Sequence, residues 1–321
     1  MQTLVVGIRD EGESSWDAVA LGVAAATTIG ADLVFANIFP TAFDFPGGAV
    51  DAEWRRYLKE RGEQVLGWAR QVAGDPAGAR YLSAGEVGSA AGLAELAEAL
   101  TAGAIILGSA SGGRARRMFA GTTADRLFHG STVPIAVAPQ DFHSWAPPRF
   151  GRFVLAYQGT EDCRRTLRAT SEVAQQAGAD VHLITLLERV SRIYGTPIAR
   201  ESESEMLERL ANEASRLQSE AIADCPPGVN ITMECVRGWD AASAMAKVDW
   251  RDDDVLVVGS GRSGLLRRVF LGDMTFKIVH AAQVPVVVLP RSASESPQVG
   301  EGTAWLEGQP TVPDERESSS K

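Results

Sequence analysis

Residues 104–139 read AIILGSASGGRARRMFAGTTADRLFHGSTVPIAVAP. An apolar run leads into a Gly/Ser/Arg loop, a short helical stretch and a second apolar run closed by proline. The layout returns at 255–290, VLVVGSGRSGLLRRVFLGDMTFKIVHAAQVPVVVLP. Gly108 pairs with Gly259, Gly121 with Gly272, His129 with His280 and Pro134 with Pro285, each 151 residues apart. An ungapped repeat of this kind predicts one fold built twice.

Working outward, the stretch before each copy has the same rhythm. Thr3 to Ile8 is a short apolar strand, and a helix capped by Ser14 or Ser15 runs to Thr28 and ends at Gly30. A second strand, Ala31 to Phe39, stops at Pro40. A long amphipathic helix covers about Asp51 to Val72, a weaker strand Ala79 to Ser83, and a further helix Ser89 to Thr101. The second half repeats the series: strand Arg152 to Tyr157, helix Asp162 to Gln176, strand 179–187 after Gly178, helix Ser202 to Ile222, strand Asn230 to Val236 and helix Asp240 to Val248. Strands alternating with helices predict an α/β fold with two repeated, doubly wound domains, each on a mostly parallel five-stranded sheet. The domains are 1–140 and 152–290, with a linker at 141–151, DFHSWAPPRFG, short enough to make them pack together. Residues 291–321, rich in Ser, Glu, Pro and Gly, form a tail that cannot support a core, with Trp305 and Leu306 as its docking point.

Composition narrows the function. A net charge of −10 argues against nucleic-acid binding, which draws on a basic excess. Cys163, Cys225 and Cys235 form no CxxC, so free thiols and a reducing compartment are expected rather than a Cys225–Cys235 disulfide. No signal peptide or membrane-length apolar run occurs, which predicts a cytoplasmic protein without a membrane partner. GxSxG, HExxH and the Walker GK[ST] are absent. His129 and His280 recur because their helix recurs, and His143 and His182 have no partners in the sequence, so a metal site is not expected.

The paired strand, Gly-rich loop, G[ST] helix start and VPxxVxP closure, after a strand–loop–helix opening, resemble the universal stress protein domain; the chain is similar to tandem members of that family over about residues 1–290. The resemblance implies an adenine-nucleotide alpha-hydrolase-like fold and, from the pattern G-x2-G-x9-G-[ST], ATP binding with Mg²⁺. It also implies that the two terminal strands pair within the chain as a pseudo-dimer, which could assemble again as a homodimer.

The chemistry of the loop agrees. A phosphate needs many N–H donors and little bulk; glycine admits close approach and positive φ, a helix N-terminus offers free N–H groups, and a hydroxyl adds a donor. In the first domain the expected site is Gly108, Ser111 in place of the second Gly, Gly112, Gly121, Thr122 and Thr123, with Arg114, Arg116 and Arg117 in the loop. The resemblance places Asn37 and Ile38 at the edge of the adenine pocket and an Asp after the first strand near the nucleoside. Aligning Gly30 with Gly178 puts Asp10 at that position, opposite Gln158; aligning the strands puts Arg9 there. Asp10 is the residue chosen.

In the second domain Gly259 and Gly272 are kept, but Arg262 and Asp273 replace the second Gly and the hydroxyl. A carboxylate about 4 Å from a phosphate costs on the order of 4 kcal/mol at an effective dielectric of about 20. That site is expected to be degenerate, with Asp273 an N-cap. The leading function is therefore a nucleotide-binding stress-response regulator working through domain 1, without catalysis beyond slow ATP hydrolysis. The alternatives are a partner-binding module without nucleotide, and an enzyme of the wider α/β nucleotide-binding class.

Overall fold

The computed structural model describes residues 2–41, 49–110, 118, 121–189, 200–259 and 273–290. The first half runs β1 (Thr3–Gly7), α1 (Glu13–Ile29), β2 (Asp32–Pro40), α2 (Ala49–Ala73), β3 (Arg80–Glu86), α3 (Ser89–Ala99), β4 (Ala104–Gly108), α4 (Thr122–Gly130) and β5 (Ile135–Ala138). After a 3₁₀ turn at Phe142–Ser144, the second runs β6 (Arg152–Ala156), α5 (Glu161–Ala177), β7 (Asp180–Glu188), α6 (Arg200–Ala223), β8 (Ile231–Gly238), α7 (Ala241–Met245), β9 (Asp254–Gly259), α8 (Asp273–Ala281) and β10 (Val286–Leu289). The tail at 291–321 lies outside the described residues.

The expected strands all form. Parallel strands buried on both faces should be apolar rather than alternating, and the interiors of β1, β4, β6 and β9 are, with Arg152 and Asp254 as buried charged residues at the starts of β6 and β9. Leu4 and Val6 face the layer of α1, α2, α5 and α6, while Val5 faces α3, α4, α7 and α8. The ten strands lie in the order β3-β2-β1-β4-β5-β10-β9-β6-β7-β8. Each half is parallel. The halves join where β5 and β10 pair antiparallel, Val137 opposite Val286 and Ile135 opposite Val288. The two five-stranded sheets are thus one ten-stranded sheet, and the closing strands make the intramolecular pair.

Two features were not foreseen. The linker is clamped to α1: the buried Asp17 carboxylate accepts the Asp141 N–H at 3.1 Å, the His143 N–H at 2.9 Å and the His143 ring Nδ1 at 2.8 Å. Trp16 stacks on the His143 ring at 4.4 Å, and Thr28 Oγ1 accepts the Phe150 N–H at 2.8 Å. Burial raises the Asp17 pKa above the usual carboxylate value, against the lowering effect of His143. The second feature is a buried ion pair, Arg152 Nε and Nη2 each 2.7 Å from the Asp254 carboxylate, tying the starts of β6 and β9. It raises the Arg152 pKa. Domain 1 has Thr3 and Gly103 at the matching positions.

The histidines without sequence partners therefore have them in space: His143 has Asp17, and His182 lies 2.7 Å from Thr232 Oγ1 and 3.2 Å from Glu234 Oε1. All three cysteines are free. No helix among the described residues is long and apolar enough to cross a membrane.

Candidate functional site

In the first half the strand order reverses between β1, flanked by β2, and β4, flanked by β5. Crossovers on either side of that point leave in opposite directions, so a crevice opens beyond the carboxyl ends of the strands. A cavity of about 110 Å³ lies there. Ile8, Ala36, Ile38, Leu93 and Leu107 supply its apolar wall. Arg9 and the residues at the starts of three helices supply the polar side: Ser14 and Ser15 of α1, Ser89 of α3, and Gly121, Thr122 and Thr123 at α4.

Those three helix starts share a property. Each N-cap is a glycine in extended conformation, Gly12, Gly88 and Gly121, and none has a side-chain capping bond. The first intrahelical bonds are Trp16 N–H to Gly12 O, Gly92 N–H to Gly88 O and Asp125 N–H to Gly121 O. The three N–H groups ahead of each have no acceptor within the helix. Three positive dipole ends thus converge on one apolar-floored cavity. In domain 2 two of the matching ends, those of α5 and α7, are capped, and the residues before α8 lie outside the described ones. Thr160 Oγ1 accepts the Cys163 N–H at 3.2 Å on α5. On α7, Asp240 accepts the Ser243 N–H at 2.9 Å and Ser243 Oγ returns a bond to the Asp240 N–H. Glu188 Oε1 takes the Ala241 N–H at 3.1 Å.

Register fixes how Arg9 and Asp10 align with the second half. The Ile8 N–H bonds to Ala36 O, and in the second half the Tyr157 N–H bonds to Ile184 O, both at 2.8 Å. Ile8 is therefore the counterpart of Tyr157, and Arg9 that of Gln158. The extra residue of domain 1 lies in the loop after Arg9. This corrects the alignment through the helix-ending glycines. Arg9 is on the cavity wall; Asp10 is beside it, folded back to accept the Gly12 N–H at 2.9 Å and the Ser15 hydroxyl at 3.4 Å. Arg9 Nε donates to Asp10 Oδ2 at 2.8 Å. Burial pushes the Asp10 carboxyl up, but Arg9, the Gly12 N–H and the Ser15 hydroxyl outweigh it and hold its pKa below the usual value.

Other expected residues divide. Ile38, Gly108, Gly121, Thr122 and Thr123 meet at the cavity. Asn37 does not: it is buried on the opposite face, donating to Ile8 O at 2.8 Å. Ser111, Gly112, Arg114, Arg116, Arg117, Arg262 and Gly272 lie outside the described residues. Neither Gly108, Gly121 nor Gly259 uses positive φ. Gly108 is needed for a different reason: a Cβ there would stand 1.7 Å from the Ser14 carbonyl oxygen, because α1 crosses β4 at backbone contact. A Cβ on Gly259 would meet Thr166 Oγ1 at 3.1 Å.

Two expected caps are also corrected. Ser14 and Ser15 fall within the first turn of α1, whose N-cap is Gly12; Ser15 Oγ instead accepts the Arg9 and Asp10 N–H groups, each at 3.2 Å. Asp273 already lies within the described part of its helix rather than before it. Sequence reasoning passed over Ser14, Ser15 and Ser89 as site residues. Their signal is a glycine followed within three positions by hydroxyls at each helix start: GESS, GS and GTT. No group of three or more His, Cys, Asp or Glu among the described residues could hold a metal ion.

The described residues thus give an α/β protein with a switch-point cavity ringed by helix starts that carry no side-chain cap. The comparisons narrow the class. The universal stress protein family model matches residues 1–139 and 149–290. A universal stress protein of Mycobacterium tuberculosis (strain H37Rv) is 29% identical over 293 residues, covering 90% of this chain and 99% of the relative. One from Thermus aquaticus is 26% identical over 140 residues, covering 44% of this chain and 98% of the relative. A crystal structure of a universal stress protein from Archaeoglobus fulgidus has the same fold, with a TM-score of 0.65 at 16% identity over 90% of this chain and 98% of that one. The chain belongs to the universal stress protein family, as a tandem of two family domains.

Proposed function

We propose that this chain is a stress-response regulator that binds ATP in the domain-1 cavity, and that the domain-2 counterpart does not bind it. The observation that carries the reading is the contrast in capping. The N-termini of α1 and α3 are left open at Gly12 and Gly88, whereas their counterparts α5 and α7 are closed by Thr160 and Asp240. Gly121 leaves α4 open in the same way. An open N-terminus accepts a phosphate oxygen; one occupied by a carboxylate repels it.

The apolar wall from Ile8, Ile38, Leu93 and Leu107 suits a base, and the hydroxyls of Thr122 and Thr123 suit phosphate oxygens. Magnesium would arrive on the phosphates and lower their charge. Ligand occupancy satisfies N–H groups at three helices at once, which favours one arrangement of the loops between them and so of the surface offered to partners. The proposed role is that of a sensor, in which occupancy of the cavity rather than turnover carries the signal.

The test is direct. Purified protein is denatured and its supernatant assayed for adenine nucleotide, and nucleotide-free protein is titrated with Mg-ATP by calorimetry. One ATP per chain, with the thermal midpoint rising on addition, is expected. Two equal sites would refute the role assigned to the caps, and no binding would favour the module that acts without nucleotide.

A further inference from the structure

Among the described residues the cavity's one charged wall residue is Arg9, and its surroundings prepare it for use. Its N–H is held by Ser15 Oγ, which also accepts the Asp10 N–H. The start of the β1–α1 loop is therefore pinned to the first turn of α1. Asn37 Nδ2 pins it from the other side by donating to Ile8 O. Asp10 is held by the Gly12 N–H and the Ser15 hydroxyl, and in turn holds Arg9 through Nε.

The guanidinium is thus fixed at one nitrogen while its side chain stays 71% exposed. Among the described residues its terminal amino groups make no hydrogen bond. Arginine offers five donors in a planar fork, so one edge can stay on Asp10 while the other takes a second anion. In domain 2 the matching residue is Gln158, an uncharged amide.

We infer that Arg9 is the residue by which the domain-1 cavity reads ligand charge, binding an anionic group of the ligand while Asp10 positions its guanidinium. This rests on the proposed nucleotide site and sharpens it: the ligand class is a nucleotide with several negative charges, not an uncharged nucleoside. Three helix N-termini attract any anion. Arg9 adds a full, fixed charge at the mouth, so affinity rises with each phosphate.

The experiment titrates the full-length protein with Mg-ATP, AMP, adenosine and inorganic tripolyphosphate, for wild type, Arg9→Gln and Arg9→Lys. Arg9 is exposed, so the variants should keep the wild-type melting temperature, which is measured alongside. Loss of a charge-assisted bond predicts that Arg9→Gln weakens ATP about tenfold and adenosine less than about twofold. Arg9→Lys should recover part of the loss. Raising salt from 50 to 200 mM should weaken ATP more in wild type than in Arg9→Gln.

Equal loss for ATP and adenosine, or none for either, overturns the inference while leaving nucleotide binding in place. Arg9-dependent binding of tripolyphosphate without binding of ATP or adenosine upholds Arg9 and refutes the adenine site. Binding of none of the four probes overturns both.

Discussion

Gly121→Asp separates folding from binding in a single substitution. Gly121 sits at φ −75° and ψ 171°, extended backbone that any residue adopts. A Cβ there would lie 3.3 Å from Ala110 Cβ, so a shift of a few tenths of an ångström admits it. Aspartate at this position becomes the N-cap of α4. Its carboxylate can accept one of the free N–H groups of the first turn and faces the positive end of the dipole. Replacing a glycine N-cap in this way stabilises a helix by about 0.5 kcal/mol.

The same carboxylate occupies the place offered to a phosphate. Two like charges about 4 Å apart at an effective dielectric of about 20 repel by on the order of 4 kcal/mol, roughly a thousandfold in affinity. The melting temperature should therefore hold or rise slightly while calorimetric ATP binding disappears. Domain 2 already carries the equivalent arrangement at its α7, where Asp240 stands in the place of Gly88. Unchanged ATP affinity in Gly121→Asp would refute the argument from bare helix starts. A melting temperature lower by several degrees would refute the assignment of Gly121 as an open cap.

Other consequences are as concrete. Gly108→Ala drives a methyl into the Ser14 carbonyl and should cost about 2–3 kcal/mol or more in urea unfolding, whereas Gly259→Ala, meeting the Thr166 hydroxyl among the described residues, should cost under about 1 kcal/mol. Asp254→Ala leaves the buried Arg152 guanidinium without its carboxylate, keeping only the Asp249 carbonyl as acceptor, and should cost about 3–5 kcal/mol. Asp17 gives a pH signature. Its folded pKa is raised, so its contribution to stability is fully present below the unfolded value and is lost as pH rises through the folded value. The stability deficit of Asp17→Asn relative to wild type should therefore narrow as pH is raised from about 3 to about 5. A deficit that widens over that range would show that the His143 contacts outweigh burial.

The sequence by itself determined the repeat and the two five-stranded halves. Each of these follows from local periodicity and from residues matched at one constant offset, as His129 is with His280 and Pro134 with Pro285. Burial of strands on both faces and helices ended by Gly30 and Gly178 are written into neighbouring residues, and the structure keeps them.

Only the tertiary structure decided the rest, because it depends on atoms brought together across long stretches of chain. Arg9 rather than Asp10 faces the cavity because the register of β1 on β2 puts the extra residue after it. Gly108 is glycine because α1, some ninety residues earlier, touches its backbone. The linker is held by an aspartate 126 residues away from His143. Bare and closed helix starts look alike in sequence, since Ser14 and Ser15 are residues suited to capping; the fold turns Ser15 onto the β1–α1 loop instead and leaves the N–H groups of α1 open toward the cavity.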